Sequence, residues 1–299
     1  AYVSYILLST AYTVVNIPMA SILPALSEDP HERTVLASCR TFFSSIGSTV
    51  VSAFALTLVD KFGNGNQALG FRIVMMIFGV IGCLVFFFCF FNTKERVNTY
   101  SEKVSLKANI SCLLHNTPWK LFALNIVWFF GGYVIQAGAV IYYFTYVVGN
   151  ESLVQVVATI TTLVPIIANL CAPFLVKLTS KRNLMTIGNI VHSLGLLLIF
   201  FGGTNVPVLL TAAVIAAAGY GLKISMHFAM QPDPVDYGEW KSGVNTAGTL
   251  SAVNGFIGKL GMAIASSLGA ALLAFGGFDA DLAVQTATAQ NLSLIHISE

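Results

Sequence analysis

The sequence predicts an all-α integral membrane protein, and three observations carry that prediction: long unbroken apolar runs, a scarcity of charge, and lysine and arginine gathered on alternate loops. Hydrophobic residues make up 56% of the 299, and charged residues only 9%. A soluble domain keeps about 25% charged residues because its surface must be solvated. Most of this surface is therefore expected to face lipid. A transmembrane barrel would show short segments of alternating polarity, whereas residues 74–91 run apolar without a break. The net charge of +2 gives no support for a nucleic-acid partner. Five cysteines, Cys39, Cys83, Cys89, Cys112 and Cys171, include no C-x-x-C pair. That excludes the usual zinc and disulfide frameworks and leaves them as small packing residues.

A crossing helix needs about 20 apolar residues, and eight segments supply them. The first, near 3–26, ends at Pro24 ahead of an acidic cluster, and the second, near 41–60, closes at Asn64-Gly65-Asn66. The third, near 71–92, is phenylalanine-rich. A charged link over 93–120, with Lys94, Glu95, Arg96, Glu102, Lys103 and Lys107, reads as a hinge between two bundles. The fourth to sixth spans lie near 121–147, 152–176 and 184–202, the last ending at Gly202-Gly203. The seventh, near 207–230, runs into a loop over 231–243, and the eighth covers 244–275. In the eighth, Gly261, Ala265 and Gly269 recur every fourth residue, a stripe that permits close helix contact.

Eleven lysines and arginines fall on one set of loops or its edges: Arg33, Arg40, Lys94, Arg96, Lys103, Lys107, Lys120, Lys177, Lys181, Arg182 and Lys241. Only Lys61 and Arg72 fall on the other set. The loops near 27–40, 93–120, 177–183 and 231–243 are therefore expected to be cytoplasmic. Both ends of the chain would then lie outside, the expectation for a piece cut from a longer carrier. The final Leu292–Glu299, LSLIHISE, looks like a translated sequencing-adapter read-through and is set aside as non-native.

The first and seventh spans end alike. Pro24 is followed by Asp29-Pro30-His31-Glu32-Arg33; Gln231-Pro232 is followed by Asp233-Pro234-Val235-Asp236 and Glu239-Trp240-Lys241. Six spans separate them, the period of two six-helix halves related as parallel repeats. Such a repeat implies a carrier that alternates access between two bundles.

Charge inside a bilayer costs at least about 2.5–3.5 kcal/mol, so Lys259, near the middle of the eighth span between Gly258 and Gly261, calls for a partner or an aqueous cavity. No aspartate or glutamate falls mid-span to pair with it. Lys223 lies nearer a span end, where its stem could reach the interface. In the first span, Tyr12 and Asn16 share a helix face beside Thr13, ahead of Pro18. Phenol, hydroxyl and amide suit hydroxyl recognition, and interhelical bonding is the alternative. Asn125, Gln136, Asn169 and His192 read as packing glue, while Asn254 lies five residues before Lys259. Asp233, Asp236 and Glu239 lack calcium-loop spacing. They form either a cytoplasmic gate, with Asp29 and Arg33 at the corresponding place in the first repeat, or a solvated capping loop.

These residues resemble a known family. Tyr12-Thr13-Val14-Val15-Asn16-Ile17-Pro18, the Asp29–Arg33 loop and Arg40 seven before Gly47 look like helices 4 and 5 of the glycoside–pentoside–hexuronide:cation symporters, whose best-known member is melibiose permease. Asp233-Pro234-Val235-Asp236-Tyr237-Gly238-Glu239-Trp240-Lys241 is similar to that family's loop between helices 10 and 11. The resemblance implies a major facilitator-type twelve-helix transporter, truncated here to about eight transmembrane helices. Residues 1–92 would end the first bundle as helices 4 to 6, 93–120 would link the bundles, and 121–291 would supply helices 7 to 11. It also implies sugar contacts at Tyr12, Asn16, Arg40 and Asn254, cation coupling at Thr13, and a Lys259 that links sugar and cation. Asn16 stands where melibiose permease has a sugar-binding aspartate, so neither melibiose nor sodium carries over. With Lys259, Lys223 and Arg40 at hand, an acidic sugar such as a uronide is expected. The coupling cation would be Na+ or H+, with no other cofactor, and the carrier would work as a monomer in the cell inner membrane. An intramembrane enzyme would need converging nucleophile, base or metal ligands, and a channel a repeated filter motif; the sequence offers neither.

Overall fold

A computed structural model describes residues 2–96, 105–149 and 151–275. The helices are α1 (Tyr2–Ser21), α2 (Leu23–Leu26), α3 (Pro30–Gly63), α4 (Gln67–Asn92), α5 (Leu106–Leu114), α6 (Thr117–Tyr142), α7 (Glu151–Leu178), α8 (Lys181–Gly202), α9 (Val206–Ala229), α10 (Asp233–Ser242) and α11 (Ala247–Phe275). A π-helical turn, Tyr143–Val147, continues α6. Among the described residues, eight stretches are long and apolar enough to cross a membrane: α1, α3, α4, α6 with its π turn, α7, α8, α9 running on into α10, and α11.

Polar caps set the helix starts. The side chains of Asn66, Asn116, Ser180 and Asn205 accept from backbone N–H groups of α4, α6, α8 and α9 that have no intrahelical partner. Proline stands in the first turn of α3, α6, α9 and α10, where a missing N–H does no harm. Asn64, at φ 44°, turns the chain between α3 and α4, as the Asn-Gly-Asn signal predicted.

The elements differ from expectation in four places. The predicted span 3–26 is divided at Ile22 into α1 and α2, where Pro24 in the first turn of α2 brings no N–H to continue α1. The link over 93–120 contains α5 and the first turn of α6, and 231–243 is mostly helix α10 rather than a loop. Hydropathy misses such helices because they are short, nine and ten residues, and α10 is polar. Likewise α3 starts at Pro30 instead of near 41, with Arg33 and Thr34 buried in its first turns. Glu102 and Lys103 of the link, and the tail 292–299, lie outside the described residues.

In chain order, helices α1–α4 make a first group and α6–α11, after α5, a second. Glycines let the backbones of the second group touch. A Cβ on Gly219 would sit 2.3 Å from the His192 backbone nitrogen, and one on Gly195 2.4 Å from that of Ala216. These positions join α8 to α9, the most extensive helix pair. The predicted stripe on α11 works in the same way at Gly261, against Val127 of α6, and at Ala265, against Gly131. Gly269 meets nothing within 4 Å. The groups meet where α3 packs on α7 and α9, and α1 on α11. A buried cluster joins Leu23 and Ala37 of the first group to Ala172, Leu184, Met226 and Ala229 of the second. A further cluster, Leu113, Trp119, Val235 and Leu250, seats α5 and α10 beneath α6 and α11.

Outward faces are apolar, as lipid requires: Phe86, Phe87, Phe88, Phe90 and Phe91 of α4 are all exposed. Cys39, Cys83 and Cys171 share such faces, so they do not fill interior gaps as their composition suggested. A thiol is apolar enough to face hydrocarbon without a partner.

Candidate functional site

Between the two helix groups lies a cavity of about 630 Å³. It takes Tyr12, Thr13 and Asn16 from α1, and Arg40, Thr41, Ser44 and Ser45 from α3. The second group adds Phe122 and Phe130 from α6, His227 and Phe228 from α9, Gln231, and Ser251, Asn254 and Lys259 from α11. Every residue predicted to contact sugar or cation therefore lines one space, although the sequence separates Tyr12 from Lys259 by most of the chain. Among the described residues, the lining includes two cations, Arg40 and Lys259, and no aspartate or glutamate.

Lys259 reaches across to α1. Its Nζ lies 3.4 Å from Thr13 Oγ1 and 5.6 Å from the centroid of the Tyr12 ring, a cation–π contact. Thr13 donates its own hydroxyl to Ser9 O at 2.8 Å, which leaves Oγ1 lone pairs free to accept from the ammonium. Asn16 Nδ2 donates to the Tyr12 hydroxyl at 3.0 Å, so the two predicted face-mates do bond. The Arg40 guanidinium lies 5.2 Å from the centroid of the Phe228 ring. Asn254 is buried, and its Oδ1 accepts from Trp119 Nε1 at 3.0 Å.

Several lining residues were not singled out in the sequence. Thr41, Ser44 and Ser45 recur with Arg40 at helical spacing, a polar stripe that marks the inward face of α3. His227 gives no such signal. Its ring stacks on Phe129 at 4.5 Å and on Phe122 at 5.0 Å, with Nδ1 3.3 Å from Asn125 Oδ1. The Lys223 Nζ stands 5.5 Å from the ring centroids of both Phe129 and Tyr220. Asn169 accepts from Ser225 at 2.6 Å, and His192 Nδ1 lies 2.9 Å from Ala216 O, both contacts between packed helices.

The acidic residues separate into two kinds. Arg33, buried at the start of α3, donates from Nε to Ser27 O at 2.6 Å and from a terminal nitrogen to Pro24 O at 3.3 Å. Its other terminal nitrogen pairs with Asp236 of α10, tying the two helix groups together. Asp233 pairs with Lys181 of α8 at 3.0 Å, within the second group. Asp29 accepts from His31 N and caps α3, and Glu239 accepts from Asn245 Nδ2 at 2.8 Å; both bonds are local. No cluster of three metal-ligating side chains occurs among the described residues.

The profile of a family described as MFS/sugar transport protein matches residues 1–297. The chain is 35% identical over 298 residues to the isoprimeverose transporter of Lactiplantibacillus pentosus, covering 97% of this chain and 62% of that protein. It is 30% identical to the inner membrane symporter YicJ of Escherichia coli (strain K12), covering 94% and 61%. The chain thus spans about three fifths of the length of these relatives. Its fold resembles the crystal structure of a Major Facilitator Superfamily (MFS) transporter, FucP, in the outward conformation, with a TM-score of 0.68 and 13% identity over 94% of this chain and 70% of the other.

Proposed function

We propose, from the premise that this chain belongs to the MFS/sugar transport protein family, that it holds the substrate site of a cation-coupled sugar symporter. One observation carries the reading: a cavity formed jointly by two helix groups, whose shared wall is closed at one end by the Arg33–Asp236 pair and the cluster around Leu23 and Met226. A sugar held between bodies that can rock apart at either end is carried across by alternating access. The closed end bears 27–40, 177–183 and 231–243, the cytoplasmic side by its lysine and arginine excess. The pair would break when that side opens. Asp29 and Glu239, bonded locally, would serve as caps.

In this reading Tyr12, Asn16, Arg40 and Asn254 meet the sugar, and Lys259 with Thr13 links it to the coupling cation, Na+ or H+. The link is a reciprocal free energy: a cation that favours sugar is favoured by sugar to the same degree. The carrier acts as a monomer in the cell inner membrane. A more specific substrate reading rests on the two cations without a carboxylate among the described lining residues. That wall suits an acidic sugar, because a uronide carboxylate would satisfy Arg40 and Lys259 together.

Reconstituted full-length protein tests both. Isoprimeverose and methyl glucuronide would be offered under sodium and proton gradients. Accumulation should follow one gradient, and Lys259→Ala should reduce it at least about tenfold at normal expression and insertion. Unchanged accumulation in that variant would refute the Lys259 assignment. Uptake of the neutral glycoside untouched by excess glucuronide would refute the acidic-sugar reading.

A further inference from the structure

We propose that Phe228 is a positioning residue: its ring holds the Arg40 guanidinium as the cavity-side rung of the seam that shuts the closed end, until a substrate oxygen draws that guanidinium away. The proposal rests on the transport reading above. It begins from one face of α3, where Arg33, Ala37 and Arg40 stand at i, i+4 and i+7. Each of the three meets the second helix group. Arg33 pairs with Asp236 of α10. Ala37 is buried in the cluster with Met226 and Ala229 of α9. Arg40 lies over the Phe228 ring, 5.2 Å from its centroid. The seam thus passes from an ion pair, through an apolar plug, to a cation–π contact. Phe228 belongs to the last two rungs, because it also packs against the plug.

The rungs differ in what can reach them. Among the described residues, only the Arg40–Phe228 rung has both partners on the cavity wall. An occupant of the cavity therefore acts on the seam at this rung first. The salt bridges among the described residues belong to Arg33 and Lys181, so no carboxylate there competes with the ring for Arg40. An aromatic ring offers a face of negative charge and no lone pair, which leaves the guanidinium N–H groups to be claimed by a ligand. A hydrogen bond from a guanidinium to a sugar hydroxyl or carboxylate is stronger than a cation–π contact at a solvated site. The sugar accordingly wins Arg40 from the ring. Loss of the rung loosens the plug beside it, so that sugar binding favours opening of the closed end.

Access to the plug tests this. Ala172 is buried in the plug and is not among the residues that line the cavity, so a thiol placed there by Ala172→Cys reports opening without being shielded by bound sugar. Full-length protein would carry it in proteoliposomes, with the native cysteines replaced by serine. A membrane-impermeant maleimide would be supplied from the side of residues 27–40. Labelling should be slow without sugar and severalfold faster with whichever of isoprimeverose and methyl glucuronide the protein accumulates. F228L keeps an apolar side chain and deletes the ring face. It should label about fivefold faster without sugar, the size of one cation–π contact, and sugar should then add less than about twofold. F228Y keeps the ring face and should restore both the slow basal rate and the response to sugar. A basal rate in F228L equal to that of wild type, a tyrosine variant that behaves like the leucine one, or a transported sugar that leaves wild-type labelling unchanged would overturn the proposal. Should F228L fail to insert, R40Q removes the same contact from its other side. Its labelling without sugar then decides, about fivefold faster upholding the rung and an unchanged rate refuting it. Wild-type protein that accumulates neither sugar would instead overturn the transport reading, and the sugar-free comparison of F228L with wild type would still decide whether the ring holds the seam shut.

Discussion

Helices α1 and α9 stand at corresponding places in the sequence repeat, each leading into an Asp-Pro helix start, yet they are built oppositely. Helix α9 buries eleven residues, most of them alanine, glycine or serine, and its backbone touches those of α7 and α8. Helix α1 buries none of its residues within the described structure, and its polar side chains stay open to the cavity. The contrast separates two uses of a crossing helix. Where side chains are small, dispersion between closely approached backbones holds helices together in the absence of a hydrophobic drive. Where side chains are polar and uncovered, the helix contributes chemistry and little adhesion. Both belong to one cavity wall, so α9 is the frame against which α1 presents its groups.

That contrast can be broken most forcefully at Gly219. A side chain there collides with the His192 backbone, and overpacking of this kind costs about 1–3 kcal/mol or more. Gly219→Val should abolish monodisperse protein on size exclusion in detergent, while Val14→Ala on exposed α1 leaves the elution unchanged. A well-behaved Gly219→Val protein would remove α9 from its role as frame. A middle-sized effect is expected at Asp236→Asn, which strips the counter-charge from buried Arg33. Asp236 is itself 48% exposed, so the loss is discounted from the fully buried case to about 1–2 kcal/mol. A thiol introduced by Ser251→Cys should then react severalfold faster with a reagent supplied from the 27–40 side. An unchanged rate would mean that the pair does not hold the two groups shut. The smallest change sharpens the reading of α1. Tyr12→Phe removes the hydroxyl that accepts from Asn16, a bond worth about 0.5–1.5 kcal/mol. It should raise the KM for sugar about threefold to tenfold and leave the melting temperature in detergent unmoved. A fall in melting temperature would make α1 structural after all.

The spans were legible because hydropathy reports the solvent around a helix, and lipid surrounds these. By the same logic α5 and α10 were hidden: they are too short to cross a bilayer, and the polar, proline-bearing sequence of α10 looks like a loop. Helical periodicity put Tyr12 on the face of Asn16, and the resemblance put Asn254 and Lys259 beside them; all four line one cavity. Trp119 could not be read in the same way. Its aromatic ring looks like any interfacial tryptophan, and its partner lies 135 residues away. His227 was hidden for a related reason: a histidine among alanines and phenylalanines gains meaning only once Phe129 and Asn125 are folded against it. The acidic cluster was only half legible. Charge alone placed Asp29, Asp233, Asp236 and Glu239 together, but only three-dimensional distance separates the Asp236 that joins two helix groups from the Asp29 that caps its own helix.

Gly238, in the middle of the Asp-Pro-Val-Asp-Tyr-Gly-Glu-Trp stretch, has an ordinary helical backbone, so turn geometry does not require it. A Cβ there would lie 3.0 Å from Asn116 Nδ2, the amide that reaches past it to Pro234. The glycine is therefore the shadow of an asparagine more than a hundred residues earlier. Through evolutionary time the two positions should change together: lineages that enlarge residue 238 should shorten residue 116, and those that keep the asparagine should keep the glycine. A library randomised at both sites and selected for uptake would display that covariation directly, one amide's reach written as a two-letter rule.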